Sequence, residues 1–181
     1  MFTDNDTTNK QLLLSLFGKL LQTHQNAQFG ELATLLAVFH AIRTLHQSAH
    51  WQIGGRTSYG DHLLFERLYN DTTTEVDEIA EKLVGLDCPA RVDPLTLSFH
   101  SAIIIKNFCK AQTNVVNSES IIMRALEAEQ NLLSFITIVV ESLANRGVLT
   151  IGLENMLADM HDGHESHVYL LKQRLDKVGN F

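Results

Sequence analysis

His50, His62, Glu66, Asp77 and Glu81 are the residues whose types and spacing could do chemistry. His62 and Glu66 lie four apart, as do Asp77 and Glu81. On one helix, at about 100° per residue, these four side chains fall within an arc of roughly 100° and share a face. Imidazole nitrogen with carboxylate oxygen, and no thiolate, suits Fe(II) and less selectively Zn(II) or Mn(II). One ion cannot use both pairs, because Glu66 and Asp77 are separated by roughly 16 Å of helix axis. Two such helices packed antiparallel about a two-fold axis near Asp71 and Thr72 would bring them together. His62 and Glu66 of one chain would then face Asp77 and Glu81 of the other, giving equivalent sites across an isologous interface. His50 would join His62 because the chain reverses between them. Positions would remain open for an oxidant.

The elements that must position these residues are helices. Residues 10–50 form the first, with a break near 25–30 and a stripe of Leu32, Leu35, Leu36, Phe39, Ile42, Leu45 and His46. The Gly-rich stretch 52–60 interrupts it. A second helix covers about 61–86 and stops before Pro89. A short helix over 95–110 sits inside a long connection. The third long helix spans 118–145, capped by Ser118 and ended by Arg146 and Gly147. The fourth spans 150–177. No stretch alternates with period two long enough to be a strand. Short, long and short links between four helices make an all-α, ferritin-like four-helix bundle with one crossover. The expected organisation is an acidic N-terminal tail, 1–10, and a single domain, 11–181.

The stretches Ala49-His50-Trp51-Gln52-Ile53-Gly54-Gly55, Asp61-His62-Leu63-Leu64-Phe65-Glu66 and Val76-Asp77-Glu78-Ile79-Ala80-Glu81 resemble the Dps miniferritins. The family pattern is His-Trp, a Gly loop, a second His, an acid four on, then a D-x-x-A-E segment. The resemblance is strong over about 32–86 and weaker over the late segment His164-Glu165-Ser166-His167. It implies a dodecameric shell that binds Fe(II) at two-fold interfaces, oxidises it preferentially with hydrogen peroxide and stores the ferric mineral, protecting against oxidative stress. Carried over, His50, His62 and Glu66 come from one subunit and Asp77 and Glu81 from its mate. The family often has Asp where this chain has Glu66. Trp51 resembles the family tryptophan beside the site, although a plain core aromatic reads the same way in sequence.

Other signals are weaker. No Glu-x-x-His occurs, so the ordinary ferritin site inside one bundle is not expected. His164 and His167 fall on the apolar stripe of the last helix and read as paired core or interface histidines, although with His161 they could hold a second ion. Cys88 and Cys109 are too few for a disulfide framework and read as reduced thiols. The residues before the apolar run 12–17 are acidic where a signal peptide needs basic ones, and no run approaches a membrane span, so a cytoplasmic protein is expected. Some Dps proteins bind DNA through a Lys-rich tail. Here residues 1–10 hold Asp4, Asp6 and only Lys10, and the net charge is -7. A nucleoid-protecting role is therefore the alternative to iron oxidation and storage, because anionic shells repel phosphate.

Overall fold

The computed structural model describes residues 29–56, 58–109 and 117–176. The expected tail 1–10 and the first helix up to residue 28 lie outside the described residues. Among the described residues there are five α-helices: α1 Gly30–Gln52, α2 Ser58–Gly85, α3 Pro94–Cys109, α4 Ser118–Asn145 and α5 Ile151–Asp176. A 3-10 turn, Pro89–Val92, precedes α3. No described helix is long and apolar enough to cross a membrane.

The direction of each long helix follows from which of two apolar clusters it meets first. The larger cluster takes Leu32 to Leu45 of α1, Ile79 and Leu83 of α2, Ala128 to Leu143 of α4, and Leu153 to Met160 of α5. The smaller takes Ala49, Phe65 and Leu68, Ile121 to Ala125, and Leu171. α1 and α5 run from the larger cluster to the smaller; α2 and α4 run the other way. Consecutive α2 and α4 are therefore parallel, and the chain between them must return along the bundle. This is the ferritin-like bundle with one crossover, and α3 is carried in that crossover.

Local chemistry sets the joints. Asp93 accepts the Thr96 amide at 2.8 Å and Pro94 takes the first position of α3, where its missing N–H costs nothing. The Ser101 hydroxyl of α3 is shared between the Leu97 carbonyl of its own helix at 2.7 Å and the Ala37 carbonyl of α1 at 3.2 Å, a contact that holds the crossover helix against the bundle. Asn117, not the expected Ser118, caps α4, in a reciprocal box with Ser120. Ser118 is released to do something else: its hydroxyl donates to the Gly54 carbonyl at 2.8 Å and pins the loop between α1 and α2. Gly147, at φ 69°, ends α4 in the left-handed conformation that glycine adopts without a Cβ clash.

At the far end of α1, the Glu31 carboxylate accepts Arg146 Nη1 at 2.6 Å and Ser142 Oγ at 2.8 Å. Burial would raise the Glu31 pKa, but the hydrogen bond and charge of Arg146, with Ser142, outweigh it and hold it below its ordinary value. A depressed carboxyl stabilises the fold above its unfolded pKa and loses that contribution as the pH falls through its folded value. Arg146→Met should therefore lower stability by about 1 kcal/mol at neutral pH. The gap from the parent in urea midpoints should close below the ordinary carboxylate range.

Candidate metal centre

His50 lies in the last turn of α1 and His62 near the start of α2. The reversal between them uses Gly55 at φ 90°, a conformation that side chains disfavour. The two imidazoles stack with centroids 3.5 Å apart and planes 27° from parallel. Each is oriented by the other's backbone: His50 Nδ1 meets the His62 carbonyl at 3.0 Å, and His62 Nδ1 meets the His50 carbonyl at 2.9 Å. A carbonyl only accepts, so each Nδ1 carries the proton and each Nε2 keeps its lone pair. Fixing the far nitrogen in this way is how ligating histidines are aimed. Tyr69 sets its ring edge against His50, with centroids 5.3 Å apart.

Glu66 is half-buried one turn along α2 from His62, while Asp77 and Glu81 are exposed on the other half of the same helix. Within one chain the structure brings His50 and His62 together, with Glu66 following on their face. Asp77 and Glu81 stand too far along α2 to join them. Large apolar side chains close in sequence to the histidine pair lie without cover: Trp51 is 70% exposed, Tyr59 78% and Leu63 45%. Trp51 is thus not a core aromatic of the single chain.

A second constellation, unexpected from the sequence, lies between the two apolar clusters. His46, Glu129, His164 and His167 are buried there. The Glu129 carboxylate meets His46 Nε2 at 2.6 Å, His164 Nδ1 at 2.5 Å and His167 Nδ1 at 3.5 Å. Glu75 of α2 meets His164 Nε2 at 2.9 Å, and Asp71 meets His167 Nε2 at 3.2 Å. Burial pushes His46 down, more than Glu129 pulls it up, so it is neutral. Burial also opposes charge on His164, but the Glu129 and Glu75 carboxylates outweigh it and raise that imidazole to about 10. Burial would likewise raise Glu129, yet the charge of His164 and the imidazole hydrogen bonds hold it well below its ordinary value. His161 does not share this cluster; it pairs with exposed Glu165 at 3.7 Å. His164 and His167 are core histidines, as expected; their partner Glu129 is not among the expected residues. Its signal was available: a Glu among Ile122, Ala125, Leu132 and Ile136, on the apolar stripe of α4.

No family model matches the chain. It is 32% identical over 148 residues to the nutrient stress-induced DNA-binding protein of Nostoc sp., covering 76% of this chain and 77% of that one. It is 28% identical over 131 residues to general stress protein 20U of Bacillus subtilis, covering 70% and 81%. Among solved structures, Dps from Thermosynechococcus elongatus superposes with a TM-score of 0.68 over 95% of both chains, at 19% identity. A Dps protein from Vibrio cholerae O1, described as a member of a broad superfamily of ferritin-like diiron-carboxylate proteins, gives 0.61 over 97% and 98%, at 22% identity. Sequence identity over three quarters of a stress-induced relative and a bundle shared along nearly its whole length lead to one conclusion: the chain belongs to the Dps family of the ferritin-like superfamily.

Proposed function

We propose that this protein is a ferroxidase and iron-storage subunit whose sites form where two copies meet. The observation that carries the reading is the reciprocal backbone bonding of His50 and His62, which ties up both Nδ1 atoms and leaves two neighbouring Nε2 atoms without a hydrogen bond among the described residues. The substrate is Fe(II). His50, His62 and Glu66 would bind it from one subunit, and Asp77 and Glu81 from the other. The exposed Trp51, Tyr59 and Leu63 beside the pair would be covered by that second copy, since burying them is favourable. Each hydrogen peroxide takes one electron from each of two ferrous ions and its O–O bond breaks. With water, ferric oxyhydroxide forms and protons leave to solvent. A dodecameric shell would store the product, and consuming Fe(II) with peroxide removes both reagents of radical chemistry.

Fe(II) with peroxide should give ferric absorbance well ahead of Fe(II) with oxygen alone. Trp51, the one tryptophan, should be quenched as iron binds beside His50. Oxidation no faster than in buffer, with unchanged fluorescence, would refute the assignment.

The name of the Nostoc relative favours a second reading, DNA binding. The net charge of -7 opposes it. Arg174, among the few basic residues near the C-terminus, is also committed to Asp61, with Nη2 to Oδ2 at 3.0 Å. In a mobility-shift assay at moderate salt, duplex DNA should run unretarded. Retardation that weakens as salt is added would favour the DNA-protecting role instead.

A further inference from the structure

We propose that Glu129, His164 and His167 form a second site, inside each bundle, for a single divalent transition-metal ion. Each residue offers one donor atom, and the three atoms lie within 4.8 Å of one another. The orientation of the two imidazoles favours a cation. Both turn Nε2 toward carboxylates of α2, His164 to Glu75 and His167 to Asp71. Both therefore turn Nδ1 toward Glu129. With protons on the Nε2 atoms only, the two Nδ1 lone pairs and the carboxylate would face one another within 4.8 Å. His167 Nδ1 is buried with no hydrogen bond to any described residue, only a 3.5 Å approach to Glu129 Oε1, and His46 Nδ1 in the same layer is likewise unbonded. Buried polar atoms are usually paired.

An ion at the convergence point satisfies all three donors at once. Bonds of about 2.0–2.1 Å in tetrahedral geometry place neighbouring donors about 3.4 Å apart. His167 Nδ1 already stands 3.5 Å from Glu129 Oε1. The His164 contact, at 2.5 Å, would open by about 1 Å as the ion replaces its proton. Glu75 and Asp71 then act as the outer carboxylates that orient ligating histidines, and His46 donates Nε2–H to Glu129. Phe39 closes one side, its ring edge-on to His164 with centroids 5.2 Å apart. Two nitrogens and one oxygen, with a fourth position open, suit Zn(II), Co(II) or Fe(II) rather than a thiolate-seeking ion.

The test uses Co(II) and the full assembled chain, carrying His62→Ala and Glu81→Ala so that interface binding is removed. This keeps the outcome independent of the ferroxidase reading. After chelation, loading and washing, we expect one cobalt per subunit by elemental analysis, with the intense visible absorption of four-coordinate Co(II). Adding Asp71→Asn should weaken binding about 10–100-fold through the outer carboxylate, with native mass spectrometry checking that assembly, near whose expected two-fold axis Asp71 lies, is unchanged. Adding His167→Gln should abolish the visible band while helical circular dichroism is retained. Cobalt should also raise the melting temperature of the interface variant, by roughly 5–10 °C at a hundredfold excess over Kd. No retained cobalt, or cobalt indifferent to His167→Gln, would overturn the site.

Discussion

Mixing two inactive variants, His62→Ala and Glu81→Ala, should restore roughly a quarter of parental ferroxidase activity once subunits have been dissociated and reassembled. Both lesions fall in one site of a mixed dimer. The other site receives His62 from one chain and Glu81 from its mate, both intact. Random pairing makes about half the dimers mixed, and each has one good site of two. The distance along α2 motivates the expectation: His62 and Glu81 sit on opposite halves of one rigid helix. If both served the same ion from one chain, every site in the mixture would keep a lesion and nothing would return. Native mass spectrometry would verify mixing. Unrestored activity in a verified mixture would then remove the shared-site geometry and the antiparallel pairing of α2 helices with it.

Glu129→Ala should be among the most damaging single changes to the fold, costing about 3–5 kcal/mol in chelated protein. Its side chain and that of His164 are both fully excluded from solvent. Removing the carboxylate leaves a charged imidazole with Glu75 alone, and takes the acceptor from His46 as well. Against a total stability of order 5–15 kcal/mol this is a large fraction. Glu129→Gln keeps an acceptor oxygen and should cost about 1–3 kcal/mol. Urea midpoints for the two variants would measure the difference. Equal, small losses for both would mean that the buried pairing contributes little and that the layer stands on its apolar neighbours.

The helical architecture was legible in the sequence because it depends on local periodicity. The α1 stripe from Leu32 to His46 is buried as its spacing requires, and the starts and stops near Pro94, Gly147 and Thr150 fall within a residue of expectation. The His50–His62 pair was legible for the same reason. A short Gly loop between two helices must return the chain, whatever else the fold does. Detail that depends on competing partners was not legible. Ser118 and Asn117 are both good helix caps by type. Only the approach of the Gly54 loop decides that Ser118 bonds across while Asn117 caps.

The central polar layer lay furthest from reach. His46, Asp71, Glu75, Glu129 and His164 come from four different helices, and no motif links them. No Glu-x-x-His marks the layer in the sequence, and the tertiary structure brings together a lone Glu on α4 and a His-x-x-His turn on α5. Residue types and spacing along one helix determined the elements, their order and the face that carries His62, Glu66, Asp77 and Glu81. Which side chains meet across the bundle was decided by packing alone, because contacts between helices depend on relative rotation and translation that no single helix encodes.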